Sequence, residues 1–223
     1  GIGGWKRVRD LAVGDAVGLP RRVEVEAPKN PLTDPELILI AHLLGDGCIL
    51  PRQPFHYTSA STANLAYVAN AARELFSIES RTVRQKNWWH LYLPSPYRLT
   101  HGKHHPISIW FHSLGMELVR SWQKQIPGAV FQCDPDRIAL FIRHLWSMDG
   151  NVSWKRLPNR IPAGNIYFAS SSGIMAEQVQ HLLLRLGIQS SLRTVPSRKG
   201  YRDMHHLYVE GAPNQLAFLR VVG

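Results

Sequence analysis

Apolar residues recur at helical spacing in two well-separated segments. Leu65, Val68, Ala72 and Leu75 mark one face of a helix over Asn64 to Phe76. Val179, Leu182, Leu183 and Leu186 mark another over Ile174 to Leu186. Each is preceded by a strand-like run ending in hydroxyls that suit a helix cap: Phe55-His56-Tyr57-Thr58-Ser59-Ala60-Ser61-Thr62, and Ile166-Tyr167-Phe168-Ala169-Ser170-Ser171-Ser172. Each is followed by two strands, the second reading Trp89-His90-Leu91-Tyr92-Leu93 and His205-His206-Leu207-Tyr208-Val209. The shared His-Leu-Tyr keeps one alternation, so the same faces are buried in both. Further helices are predicted over Ser108–Gln125 and from Pro213 to Val222.

The densest apolar runs form a second repeated pair. Leu39-Ile40-Ala41-His42-Leu43-Leu44-Gly45-Asp46-Gly47 is echoed by Ile142-Arg143-His144-Leu145-Trp146-Ser147-Met148-Asp149-Gly150. Each is an apolar helix ending in Asp-Gly, and the elements above follow each in the same order. The chain therefore reads as α+β, a pseudo-two-fold duplication of αββαββα with halves at 33–135 and 136–223. Residues 1–32 stand apart. Trp5 to Val17 alternates short apolar runs with Gly-Asp, which predicts strand and turn. Pro28, Pro31 and Pro35 make a stiff connector, and Thr33 or Asp34 can cap the helix beginning near Pro35.

Gly47 and Gly150 fit the left-handed position just past a helix end. Asp46 and Asp149 are then the last side chains of their helices, where the helix dipole disfavours a carboxylate. Two such ends side by side repel, and a hard divalent cation such as Mg²⁺ relieves the conflict. Ala41 and Gly45 leave a shallow groove on the first helix, while His144 and Met148 are bulky at the matching positions. One helix offers the hole and the other the knob.

Charge narrows the choice of partner. The 223 residues carry a net charge of +10, with a pI near 10.0, which favours a polyanion. Charge alone also fits a basic enzyme that touches no nucleic acid. Hydrophobic content of 44% excludes a disordered chain. Cys48 and Cys133, the two cysteines, give neither zinc spacing nor a disulfide framework, and nothing pairs Cys48 with a base. No apolar stretch is long enough to span a membrane, and no leader opens the chain, which predicts a cytoplasmic protein. The start at Gly1 reads as an excised segment of something longer.

The paired signatures resemble those of the LAGLIDADG homing endonucleases, the single-chain kind carried inside inteins. Phe141 to Gly150 resembles the second endonuclease block and Leu43 to Cys48 the first; Trp5 to Arg22 resembles the tail of an intein splicing domain, as in inteins of replicative helicases. The resemblance implies two sheets forming a saddle over DNA, with the signature helices packed at its centre. It implies a monomer that cleaves double-stranded DNA at a long asymmetric site and leaves short 3′ overhangs. Mg²⁺ or Mn²⁺ is the implied cofactor, and the host is prokaryotic, with the protein at the nucleoid when bound. Asp46 and Asp149 are the implied catalytic and metal-binding acids, with Gly45 and Met148 beside them at the metal. Lys124 is the basic residue whose position fits the metal-bound solvent, with Lys103 behind it. His144 and Ser147 depart from the family pattern, and both bear on packing rather than chemistry.

On such a saddle, polar strand residues meet the major groove. Arg52, Gln53, His56, Arg81, Arg84, Lys86 and Asn87 are the candidates of the first half. Asn151, Ser153, Lys155, Arg156, Asn165, Arg193, Arg198, Lys199, Tyr201 and Arg202 are those of the second. Arg and Lys suit guanine edges, Asn and Gln suit adenine, and others hold phosphates. Arg160 and the loop between Pro158 and Pro162 reach toward the DNA flank. The stretch His101-Gly102-Lys103-His104-His105 reads as a loop over phosphates rather than a metal site. Two other functions use different chemistry. A non-cleaving relic or RNA maturase would share the fold. A splicing element would need a nucleophile at the first residue and a terminal His-Asn pair, where this sequence has Gly1 and Val222-Gly223.

Overall fold

A computed structural model describes every residue except 1–3, 16, 19, 25–26, 157, 159–160 and 198–199. Its elements run α1 (Asp34–Gly45), β1 (Gly47–Cys48), β2 (His56–Ser59), α2 (Thr62–Phe76), β3 (Arg81–Arg84), β4 (Trp89–Tyr92) and α3 (Pro106–Ser113), then α4 (Pro135–Asp149), β5 (Gly150–Lys155), β6 (Ala163–Ser170), α5 (Gly173–Arg185), β7 (Ser190–Val195), β8 (Met204–Val209) and α6 (Ala212–Val221). The order αββαββα thus occurs twice. Each half has one four-stranded antiparallel sheet, β1-β2-β4-β3 and β5-β6-β8-β7, with identical topology.

Local chemistry starts the helices where the polar signals stand. The Glu36 carboxylate accepts the Thr33 backbone N–H at 2.8 Å and the Thr33 hydroxyl at 2.9 Å, and Pro35 follows in the first turn of α1. Asp134 caps α4 by accepting the Arg137 N–H at 2.9 Å. Ser61 and Ser172 occupy equivalent places, accepting the Asn64 N–H at 3.3 Å and the Met175 N–H at 3.1 Å. Alternation then sends Tyr57, Leu91, Phe168 and Leu207 inward against the helices, all fully buried. One contiguous core runs through both halves, from Leu37 and Val68 to Leu182 and Phe218.

Three expectations are corrected. No strand forms among the described residues of 1–32; a single 3-10 turn, Val8–Asp10, lies in an exposed segment. The helix expected over Ser108–Gln125 ends at Ser113, because Gly115 turns left-handed at φ +70° and the chain continues irregularly to a short 3-10 turn, Ser121–Gln123. Gly47 and Gly150 are not left-handed; Gly150 is extended at φ −95°. Glycine is needed there for space: a Cβ on Gly47 would lie 2.6 Å from the Leu43 backbone, and one on Gly150 would lie 2.1 Å from Trp146 Cδ1.

The proline-rich connector is held by the second half. Asn30 Nδ2 donates to Asp134 Oδ2 at 2.7 Å, and the Asp134 N–H returns to Asn30 Oδ1 at 2.8 Å. Arg137 donates to the Leu32 carbonyl, and Leu32 is buried. The chain entering α1 is thereby fixed to the start of α4.

Candidate metal centre and nucleic-acid interface

Helices α1 and α4 pack against each other at the centre of the molecule. Gly45 is the point of closest approach, since a Cβ there would lie 2.7 Å from both Cε and Sδ of Met148. The small residue of one helix receives the large residue of the other. This brings together the two helix ends that carry Asp46 and Asp149.

Both carboxyls are pushed toward the neutral form. Burial raises Asp46, and Lys124 beside it pulls the other way. Burial and then the Asp46 charge raise Asp149 to about 6, again against Lys124. Lys124 is buried between them, and burial lowers its ammonium to about 8 despite the acids. Its Nζ donates to the carbonyls of Leu43 at 2.9 Å, Gly45 at 3.1 Å and Gly47 at 2.8 Å. Those are carbonyls at the end of α1, so the cation neutralises that helix terminus. The Lys124 carbonyl in turn accepts the Ser172 hydroxyl at 2.7 Å, which ties the segment to the cap of α5. Lys103, by contrast, stands over the Tyr97 ring at 4.1 Å.

The donor set fits a hard divalent cation. Two carboxylates and nearby backbone carbonyls are all oxygen, and their mutual repulsion is what a cation relieves. Gly45 and Met148 lie beside the acids in the helix contact; the Gly45 carbonyl already accepts from Lys124. Among the described residues no three His, Cys, Asp or Glu side chains gather. Water or phosphate oxygens would complete the shell, as is usual for Mg²⁺.

A buried polar chain crosses the same helix pair. Tyr57 Oη lies 3.1 Å from His42 Nδ1, and His42 Nε2 lies 3.0 Å from His144 Nδ1. The Tyr67 ring covers both imidazoles, with centroids 6.2 Å from His42 and 4.7 Å from His144. His144 departs from the family pattern in the sequence, whereas His42 stands in an apolar helix with no signal that sets it apart.

The outward faces of the sheets collect part of the predicted DNA surface. Register pairs His56 with Tyr92 and Arg81 with Tyr92, opposite in direction to buried Tyr57 and Leu91. It pairs Asn151 with Tyr167, Ser153 with Asn165, and Arg193 with His206 on the matching face of the second sheet. The Ser153 hydroxyl donates to Asn151 Oδ1 at 2.7 Å and accepts from Asn165 Nδ2 at 3.5 Å. Lys155 shares this face by alternation. Arg84 does not: it pairs with Trp89 and has the parity of Thr82 and Leu91, which point toward the helices. Arg52 and Gln53 are in the β1–β2 loop, Lys86 and Asn87 in the β3–β4 turn, Arg156 beyond β5, and Tyr201 and Arg202 before β8; all are exposed. Arg193 is partly neutralised by Glu210. Arg160, Arg198 and Lys199 lie outside the described residues.

The rings on these faces join the predicted surface only in the folded protein. His90 and Tyr92 stand at 5.8 Å, and their equivalents His206 and Tyr208 at 6.0 Å. Tyr167 stacks on His206 at 5.6 Å with rings 3° from parallel. Arginine lies over the tyrosine in each half, Arg81 over Tyr92 at 5.4 Å and Arg193 over Tyr208 at 5.2 Å. The repeated His-Leu-Tyr was the available signal, visible as a burial pattern but not as an exposed cluster. The loop expected at His101–His105 is also corrected at its end: His105 caps α3 and contacts the Leu93 carbonyl at 2.9 Å, turned into the protein.

Comparison with known proteins agrees with the fold. The LAGLIDADG-like domain family matches residues 136–223. The replicative DNA helicase DnaB of Rhodothermus marinus is 39% identical over 222 residues, covering 99% of this chain and 23% of the helicase. DnaB of Synechocystis sp. is 37% identical over 100% of the chain and 25% of its own length. The RecA protein of Mycobacterium tuberculosis is 24% identical over 98% of the chain and 28% of its length. The chain thus spans about a quarter of the curated relatives it matches. Among solved structures, I-DmoI in complex with DNA and Mn superposes with a TM-score of 0.56 at 14% identity, over 85% of this chain and 96% of that one. I-WcaI bound to its DNA recognition sequence gives 0.52 at 14% identity, over 89% and 83%. No helix among the described residues is long and apolar enough to cross a membrane.

Proposed function

We propose, from a chain whose residues 136–223 are a LAGLIDADG-like domain and whose fold is that of the LAGLIDADG homing endonucleases, that this protein is a site-specific double-strand DNA endonuclease. The observation that carries the reading is the meeting of Asp46 and Asp149 at the ends of packed helices, one carboxylate from each half. One acid serves each strand, which suits hydrolysis of two phosphodiester bonds and short 3′ overhangs. The target is a long asymmetric duplex, because the two sheets carry different side chains at equivalent places, and the protein acts as a monomer at the nucleoid of a prokaryotic cell.

Asp46 and Asp149 would hold the metal, with Gly45 and Met148 beside them. Bound Mg²⁺ or Mn²⁺ supplies an activated water, a polarised phosphate and stabilisation of the leaving 3′ oxygen. The chain's own residues do the rest. The Lys124 ammonium fixes the end of α1 and places positive charge between the acids. His56, Arg81, Asn151, Ser153, Lys155, Asn165 and Arg193 face the major groove, while the exposed loop cations position the backbone. The same segment matches parts of a helicase and of RecA, which supports an insertion shared between hosts. We therefore read residues 33–135 and 136–223 as the two halves of an intein endonuclease, and residues 1–32 as a flank from the splicing domain.

The test is a randomised duplex library incubated with the protein in Mg²⁺, with an EDTA control, followed by sequencing of cut ends. Discrete metal-dependent cuts at one long motif are expected. Retained but uncut DNA would replace the endonuclease by a binding relic of the same fold.

A further inference from the structure

Trp122, half-buried on the 3-10 turn Ser121–Gln123, carries two guanidinium groups. The Arg202 Cζ lies 3.7 Å from the ring centroid and the Arg120 Cζ 5.4 Å from it. Arg120 belongs to the segment that closes the first half, and Arg202 to the connection between β7 and β8 in the second. Both are exposed, and neither guanidinium makes an ion pair or hydrogen bond among the described residues. The adjacent carboxylate, Asp203, is turned away to accept the Ser197 N–H at 3.0 Å.

Two like charges on one ring repel, and each exposed cation–π contact returns only about 0.5–1 kcal/mol. The arrangement is that of an anion site, with the N–H forks unspent and a rigid ring to hold them. Its location gives the anion's identity. A cleft of about 210 Å³ is lined by Gly47, Cys48, Arg120, Trp122 and Lys124, so it opens beside the end of α1 that carries Asp46.

We propose that Arg120, Trp122 and Arg202 form a clamp for a backbone phosphodiester flanking the bond cleaved at the paired carboxylates. The clamp rests on the DNA-cleaving reading above. It takes one guanidinium from each half, so it is complete only when the halves are packed. It reads no sequence, because a phosphate carries none.

The test measures binding of a mixed-sequence duplex of about 30 base pairs between about 50 and 200 mM KCl, without divalent metal. Arg120→Gln and Arg202→Gln are each expected to lower the slope of log affinity against log salt by about 0.9. Trp122→Phe keeps the ring and should keep the wild-type slope. Trp122→Ala, if it remains folded, should lose part of it. Wild-type slopes in both arginine variants would overturn the clamp while leaving DNA binding intact. A wild-type protein with no salt-dependent binding would instead overturn the DNA reading, and the clamp with it.

Discussion

His42 Nε2 and His144 Nδ1 lie 3.0 Å apart across the α1–α4 contact, both rings buried and linked onward to Tyr57. The bond joins the two halves four and five residues before the carboxylates, so it fixes the register on which their meeting depends. One imidazole must donate and the other accept, so the bond is lost if both rings are protonated, and burial holds both in the neutral form.

The pair makes stability fall with acid. Burial lowers His42 to about 3, aided by the His144 charge, and lowers His144 to about 4, aided by Arg143. The unfolded chain takes up these protons near pH 6.5, whereas the folded one holds them off until about 3 to 4. The contribution is therefore full above pH 6.5 and is lost as pH falls through that window, by up to about 1.4 kcal/mol per pH unit for each imidazole. Urea unfolding at about pH 7 and about pH 5 checks this, and His144→Gln should flatten the difference. An equal slope in that variant would assign the acid sensitivity elsewhere.

The carboxylates should trade stability for activity. Asp149 is raised to about 6, so between its unfolded value of 3.8 and that point the folded state holds the extra proton, and stability falls as pH rises. Asp149→Asn removes this cost and should gain about 1–3 kcal/mol at neutral pH in EDTA. It should also abolish cleavage of its strand while DNA binding persists. Denaturant melts paired with a nicking assay measure both arms. A variant that is less stable without metal would contradict the repulsion.

Removing the Lys124 ammonium strips three carbonyls of their donor. Lys124→Met is expected to destabilise the fold by about 2–4 kcal/mol, since hydrogen bonds to charged groups are the stronger kind and the freed carbonyls stay buried. Hydrogen exchange should show the loss first at the end of α1.

Space at the helix crossing is equally specific. Gly45→Ala places its methyl 2.7 Å from Met148 Cε and Sδ, and should cost about 1–3 kcal/mol. Met148→Ala in the same chain should recover part of that, because the obstacle is a side chain rather than backbone. Thermal melts of the single and double variants decide it; no recovery would place the strain in the backbone.

The rings on the outer sheet faces are tested by Tyr92→Ala and Tyr208→Ala. Each half-buried ring flanks its own helix-facing leucine, so folding should persist. Affinity for duplex DNA should fall several-fold as the arginine above each ring loses its support. Unchanged binding by gel shift would leave these rings a purely structural role.

Much of this architecture is written locally. The hydrophobic period, the caps at Thr33, Ser61, Asp134 and Ser172, and the two Asp-Gly ends depend on residues a few positions apart, so the duplicated αββαββα order and the paired acids could be read directly. The limits of that reading are physical too. Trp5 to Val17 has strand-like alternation, yet a strand needs a partner edge and none of the described residues supplies one. Local turn preference suggested left-handed glycines at 47 and 150, whereas the deciding factor is the nearness of Leu43 and Trp146.

Tertiary structure alone settled what distant residues do together. Lys124 was legible as a nearby base, but its grip on three carbonyls exists only because the segment after α3 folds back over α1. His42 met His144, and Arg202 met Trp122, through the docking of one half on the other. The parity that turns Arg84 away from Arg81 and His56 comes from strand register. Periodicity and capping are short-range and therefore belong to the sequence; register, burial and charge neighbours arise from long-range packing, and no window of the chain contains them.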